Sequence, residues 1–460
     1  MLRLSRLQNI SILRYTPRIF RIYGITSILL LTLCVSTTTL IAQENDYDLK
    51  EKKASSCDSF SIKTNNGIIK ESINSWSASW GDYDNDGYDD LFVPHNDMNK
   101  PNQLYHNNGD GTFTKITTGA IVNDLSSSVM GKWGDYNNDG YLDLFVSSNV
   151  MPQNLFYENN GDGTFTKITN SSLIEMGAAI LDADWTDYNR DGYLDIIATD
   201  YNSTAPNHLY KGDAMGNFTL DTANIITKSR TTAVGTAWCD YDQDGDIDLF
   251  IANTHGQNNQ LFNNDNGLFV EVRSGSIVND GGHSVDCAWG DMDNDGDMDL
   301  YVVNSRTFEK NNLYRNDGDG TFTKITNTTV VKNPANSNEA EWVDYNNDGY
   351  LDLYVANDQK QANHLFKNNQ NTNFTREENL ITKDEHDSYG CSWADIDKDG
   401  DLDLYVPNTF TQSNDYYHNE TDNCSNNSYL DIKLNGCTSN SFGLGSQIRL
   451  LSTFNGNSMW

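Results

Sequence analysis

Seven copies of one acidic signature, almost evenly spaced, constrain this chain more than anything else in its 460 residues. Each copy places a Trp two residues before an Asp, then a run of alternating acids, then a short apolar stretch. The tryptophans are Trp80, Trp133, Trp185, Trp238, Trp289, Trp342 and Trp393, separated by 51 to 53 residues. A period held this tightly means stacked copies of a single supersecondary unit, none of which can bury its apolar face alone.

Each unit reads as four short strands. One ends at the Trp, as in Ser77-Ala78-Ser79-Trp80, and one follows the acids, as in Leu91-Phe92-Val93. A third carries Asn-x-x-(Tyr/Phe), as from Asn102 to Tyr105. A Gly-rich turn such as Asn108-Gly109-Asp110-Gly111 then leads into a fourth, Phe113-Thr114-Lys115-Ile116. Asn-Gly and Asp-Gly between apolar runs are hairpin signals, because Gly takes positive φ without steric cost. Four antiparallel strands repeated seven times predict an all-β chain, a seven-bladed β-propeller.

The ends of the repeat predict how the ring closes. Phe113, Phe165, Phe218, Phe269 and Phe322 each stand 20 residues before the next Trp, and Phe374 stands 19 before. Phe60 also stands 20 residues before Trp80, although no complete unit precedes it, while the seventh unit stops after Tyr416-Tyr417 without a fourth strand. The N-terminal strand therefore supplies the last blade's missing strand and removes two unpaired sheet edges. Cys57 and Cys424 fall at the same cut hairpin, so a Cys57–Cys424 disulfide would staple the ring, with Cys424–Cys437 as the competing pair. Cys239, Cys287 and Cys391 lie beside the Trp of their units and read as small buried hydrophobes.

The acidic loops share the form Asp-x-(Asp/Asn)-x-Asp-Gly-x-x-Asp. Numbered from the first Asp, the candidate ligands are positions 1, 3, 5, 7 and 9. They are Asp82, Asp84, Asp86, Tyr88 and Asp90 in loop one, and Asp135, Asn137, Asp139, Tyr141 and Asp143 in loop two. Loop three has Asp187, Asn189, Asp191, Tyr193 and Asp195; loop four has Asp240, Asp242, Asp244, Asp246 and Asp248. Loop five has Asp291, Asp293, Asp295, Asp297 and Asp299; loop six has Asp344, Asn346, Asp348, Tyr350 and Asp352. Loop seven has Asp395, Asp397, Asp399, Asp401 and Asp403. Oxygens at alternate positions of a curved loop converge on one point, Gly at 6 permits the bend, position 7 offers its carbonyl, and the carboxylate at 9 closes the shell. Six or seven hard oxygens suit Ca²⁺, so up to seven ions are expected. A following strand and an Asp at position 9 exclude an EF-hand, which closes with Glu at 12 and is flanked by helices. No Cys or His joins the loops in sequence, which disfavours zinc and copper. At positions 1, 3, 5 and 9, loops one, four, five and seven carry one more carboxylate than the Asn-bearing loops two, three and six, and are expected to bind more tightly.

A net charge of −34 argues against nucleic acid as a partner. Residues 1–42 differ from the rest: Arg3, Arg6, Arg14, Arg18 and Arg21 come without an acid, an apolar run spans 25–35, and Ala42 offers a cleavage position. The segment reads as a secretory signal peptide, its apolar run being short for a membrane span. A secreted or cell-surface protein with no span after cleavage is the expectation, in a compartment that permits disulfides.

The run from Trp80 to Val93, Trp-Gly-Asp-Tyr-Asp-Asn-Asp-Gly-Tyr-Asp-Asp-Leu-Phe-Val, resembles the FG-GAP repeat, also catalogued as VCBS, of integrin α-type propellers. The resemblance covers residues 58–424 and implies Ca²⁺ in the loop between a blade's first and second strands. Further on, Tyr429 to Gly436 and Ser439 to Ser446 resemble the opening of the ASPIC/UnbV domain, which follows such propellers in bacterial exported proteins and in cartilage acidic protein. On that resemblance, residues 428–460 are expected to be a truncated C-terminal β domain, with Trp460 in mid-pattern. No nucleophile elbow, phosphate loop or acid pair outside the repeats points to catalysis. His283 and His386 sit at equivalent places before first strands, and the few basic residues are scattered along the sequence. The expected role is therefore binding or scaffolding of protein or glycan ligands. Some propellers of this repeat type are lyases or hydrolases, so a polysaccharide-acting enzyme is the alternative. Copy-to-copy variation before each Trp, as at 123–129 and 333–341, marks the expected recognition face.

Overall fold

Seven antiparallel sheets follow one another along the chain, and each begins with a strand that carries one of the repeated tryptophans. The computed structural model describes residues 60–421 apart from 63–66, 69–72, 151–153, 177–178, 307, 371 and 411. It also describes the strand backbone at 34–35, 38–43, 431–436, 452–454 and 457–459. The signal segment and the C-terminal domain lie largely, and Cys57, Cys424 and Cys437 wholly, outside the described residues. Blade one orders Ser79–Gly81, Asp90–Val93, Gln103–Asn107 and Phe113–Lys115, and blades two to six repeat this order. Blade seven takes Ser392–Ala394, Asp403–Val406 and Asp415–Asn419 from the C-terminal end, and its fourth strand is Phe60–Ile62. Phe60 pairs with Asn419 and Ile62 with Tyr417, so the ring closes as the phenylalanine spacing predicts.

The second strand of each blade lies between the two neighbouring blades and is buried on both faces. This explains why it is a continuous apolar run, such as the fully buried Leu91, Phe92 and Val93, rather than an alternating one. The repeated Trp is the joint between blades. Trp185 donates its indole N–H to the Lys132 carbonyl at 3.1 Å, Trp342 donates to Ala288 at 3.1 Å, and Trp80 of blade one donates to Ser392 of blade seven at 3.3 Å. The residue after Trp133 is Gly134 because a Cβ there would stand 2.8 Å from the Trp185 ring.

A second joint was not foreseen. The Asn that ends a third strand donates its side-chain N–H to the position-2 carbonyl of the preceding blade's acidic loop. Asn159 reaches Tyr83 and Asn316 reaches Tyr241, each at 2.7 Å, and Asn107 closes the ring onto Ile396 at 2.9 Å. Blade three has Gly212 there, where a Cβ would lie 2.2 Å from the Leu194 carbonyl oxygen.

Two further features depart from four plain strands per unit. Asn96–Pro101 leaves blade one and pairs with the first strand of blade two, giving that blade five strands. Single 3-10 turns, such as Ala120–Val122 and Ser276–Val278, occupy several fourth-to-first connections and plug the blade edge with Ile121 and Ile277. Cys239, Cys287 and Cys391 are buried and none of the three is joined in a disulfide, in keeping with a packing role.

Candidate metal centres

Each acidic loop joins the first strand of its blade to the second, and all seven fold alike. Position 4 adopts the left-handed conformation in every copy, with φ of 60° at Asn85, 58° at Asn138 and Arg190, 59° at Gln243 and Asn294, 57° at Asn347 and 60° at Lys398. Gly at position 6 has φ from 87° at Gly349 to 100° at Gly400, a region closed to side chains. These two inversions turn the chain so that the carboxylates at 1, 3 and 5 face inward. The position-1 Asp fixes the bend by accepting the Gly amide: Gly87 N–H to Asp82 at 3.0 Å, Gly140 to Asp135 at 2.9 Å, Gly296 to Asp291 at 3.0 Å.

Position 9 opens the second strand and is fully buried at Asp90, Asp143, Asp195, Asp299, Asp352 and Asp403. One carboxylate oxygen accepts the amide of the third strand, Asn107 to Asp90 at 2.8 Å, and the other accepts the position-2 amide, Tyr83 to Asp90 at 3.2 Å. Burial pushes these carboxyls far above the ordinary range, to about 8 in Asp90 and Asp299 and about 9 in Asp143, Asp195 and Asp248, with neighbouring loop aspartates adding to the shift. Asp344 and Asp399 rise to about 7, again through burial first.

Ligand atoms of Asp82, Asp84 and Asp86, and of Asp240, Asp242 and Asp248, lie within 4.8 Å of one another. A divalent ion fits the donor set: Asp195 Oδ2, Asp240 Oδ1, Asp293 Oδ1 and Asn346 Oδ1 are buried with no hydrogen-bond partner. A buried oxygen lone pair left unmet costs free energy, and a hard cation meets several at once. The position-7 side chains turn away from the centre. Tyr88 lies against Gly109, Asp246 pairs with Arg190 at 2.8 Å, and Asp401 accepts from Asn347 at 2.7 Å, so a metal ligand from that position would have to be the backbone carbonyl.

Two expectations need correction. Histidine does join the clusters: His106 Nδ1 lies 3.2 Å from both Asp84 and Asp90, and His418 Nδ1 lies 3.0 Å from Asp403. Both stand one residue before the third-strand Asn, a position that the strand register aims at the loop. Asn263 occupies it in blade four, 2.6 Å from Asp242. Nor do all the basic residues lie apart in space, since Arg306, His255 and His283 meet on the face opposite the acidic loops.

The loops are also linked around the ring. Asn85 donates to the Gly140 carbonyl at 2.8 Å, Asn138 to Gly192 at 3.0 Å and Asn294 to Gly349 at 2.9 Å. Lys398 of blade seven lies 4.3 Å over the Tyr88 ring of blade one. Position 4 of each loop thus supports the Gly or the position-7 residue of the next.

Similarity to known proteins agrees with this geometry. A stretch of 207 residues is 28% identical to cartilage acidic protein 1 of Homo sapiens, covering 38% of this chain and 29% of that protein. The Xenopus tropicalis protein of the same name is 27% identical over 182 residues, covering 38% of this chain and 27% of that one. The chain thus aligns with less than a third of the length of these relatives. An ancestral GH74 enzyme shares the fold at a TM-score of 0.52 and 12% identity, over 86% of this chain and 49% of its own. The model of the FG-GAP-like repeat matches residues 82–146, 135–198, 187–251, 240–302, 293–355 and 344–406, each match running from one acidic loop through the next blade's second strand. The matches overlap without a gap, and the chain belongs to the FG-GAP-like repeat family.

Proposed function

We propose that this is an exported, calcium-loaded propeller that binds or scaffolds a protein or glycan partner. The observation that carries the reading is the set of buried, partnerless oxygens on positions 1, 3 and 9 of loops with one geometry. Calcium bound there would neutralise carboxylates that otherwise repel one another, and would tie each first strand to its second. Because position 4 and the third-strand Asn cross to adjacent blades, filling the loops stiffens the whole ring and holds the opposite face in one shape. Among the described residues no helix is long and apolar enough to cross a membrane.

Partner recognition falls to the face opposite the acidic loops. There the second-to-third and fourth-to-first connections vary from blade to blade, whereas the acidic face repeats itself. A glycan and protein array probed with calcium-loaded protein, with substitutions made on either face, tests this. Binding should survive changes on the acidic face that leave calcium bound, and should fall with changes among the opposite connections. Contacts confined to the acidic face would contradict it.

A further inference from the structure

Three successive blades bring a cationic and aromatic group to the face opposite the acidic loops. Arg306, in the second-to-third connection of blade five, donates from Nη1 to His255 Nε2 and from Nη2 to the Tyr201 hydroxyl, both at 2.8 Å. His255 and Tyr201 occupy the same connection in blades four and three. Their rings are 5.7 Å apart, and the His283 ring is 6.3 Å from that of His255. His283 is held in place by Glu309, whose carboxylate meets its Nδ1 at 2.8 Å.

The partners of Arg306 set it apart from most arginines among the described residues, although Arg230, on the Thr204 carbonyl, likewise joins no carboxylate. Arg190, Arg273, Arg315 and Arg376 each pair with a carboxylate, as expected in so acidic a chain. Among the described residues no ion pair joins Arg306 to a carboxylate; a neutral imidazole and a phenol hold it, and neither cancels its charge. Burial, then Arg306 and His283, hold the His255 imidazole below its ordinary range, which keeps Nε2 an acceptor. The backbone is held against preference as well, with φ of 60° at His255, 68° at Arg306 and 55° at Phe308. Non-glycine residues held in this region store backbone strain and cluster where a site is pre-shaped. Across the mouth, the Trp76 and Tyr389 rings lie with centroids 5.0 Å apart, tilted by 34°. Arg306 opposes the upward shift that burial and Asp358 impose on the Tyr389 hydroxyl, so its field extends toward blade seven. Phe308 beside it is 58% exposed.

We propose that Arg306, seated by Tyr201 and His255, binds the anionic substituent of an acidic polysaccharide at this mouth. The inference rests on the binding role proposed above and supplies its ligand class. A guanidinium offers paired N–H groups to a carboxylate or sulfate. Phe308 is exposed and Trp76 and Tyr389 are half-buried, and aromatic rings of this kind pack against the C–H face of a sugar ring, which favours a glycan over an acidic peptide. The net charge of −34 does not forbid it, since at physiological salt charges beyond about 8 Å are largely screened and Arg306 is the local term.

The test is calorimetric titration of the calcium-loaded protein with a galacturonate oligomer, a sulfated dextran oligomer, neutral dextran and poly-glutamate. Arg306→Gln and Tyr201→Phe are measured beside the parent. Both lie on exposed or half-exposed connections, and calcium uptake and melting temperature of the same samples show that the ring is intact. One or both anionic oligosaccharides should bind, Arg306→Gln should weaken binding at least ~10-fold, as expected for a lost charged hydrogen-bond pair, and Tyr201→Phe should weaken it less. The two anionic arms tell carboxylate from sulfate. Equal binding by Arg306→Gln, or a preference for poly-glutamate or neutral dextran, would overturn the inference. Failure of the array with calcium still bound would instead sink the binding role itself.

Discussion

Stripped of calcium, the protein is expected to melt about 5–10 °C lower at pH 8 than at pH 5, while the calcium-loaded protein shows no such fall. The sign follows from the loop carboxyls. In the metal-free fold, burial raises Asp90 and Asp299 to about 8 and Asp143, Asp195 and Asp248 to about 9, from an ordinary value of 3.8. Between those limits the folded chain holds protons that the unfolded chain has released. Unfolding then releases protons, and stability falls as pH rises across the window. Calcium reverses the balance, because it binds the ionised carboxylates and displaces their protons. At free calcium about ten times Kd each site adds ~1.4 kcal/mol, so the separation between loaded and stripped protein should widen toward pH 8. Scanning calorimetry at the two pH values, with calcium and with chelator, reads this directly. Superimposable transitions at pH 8 would show that the loops are ordinary turns.

Replacing Phe60 by Ala should destabilise the ring by about 3–5 kcal/mol, although Phe60 lies more than three hundred residues from its strand partner. Phe60 is 9% exposed, and its ring centroid lies 6.0 Å from both Tyr345 and Trp393. Removing it opens a cavity beneath the one blade whose strands come from both ends of the chain. The loosened fourth strand would then expose the edge of Asp415–Asn419. Phe410→Ala, at a position 67% exposed, is the control and should change stability by less than ~0.5 kcal/mol. Urea unfolding in calcium, followed by tryptophan fluorescence, separates the two. Equal midpoints would mean that Phe60–Ile62 does not close the ring.

What the sequence made legible is what repeats locally. The tryptophan period, the Asp-x-Asp-x-Asp-Gly spacing and the 20-residue offset of Phe60 each depend on a few neighbours, and the number of blades, the loops and the closure followed from them. What stayed hidden depends on register between strands or contact between blades. His106 and His418 reach the acidic clusters because pairing aligns the third strand with the position-9 Asp, and lone histidines carry no spacing signal for that. Copy-by-copy alignment of the residue before the third-strand Asn is the one signal that would have found them. The strand Asn96–Pro101 is polar and ends in Pro, which suits a sheet edge and reads as loop. Tyr201 and Arg306 are separated by 105 residues, and only the curvature of the ring brings them to hydrogen-bonding distance.

Every acidic loop is expected to be a calcium site. Equilibrium dialysis of chelator-treated protein against radiolabelled calcium counts the ions directly. Seven ions per chain are expected in two stages, with the carboxylate-rich loops one, four, five and seven filling before loops two, three and six. Protein that takes up no calcium at millimolar concentration, or that fills the Asn-bearing loops first, would contradict it.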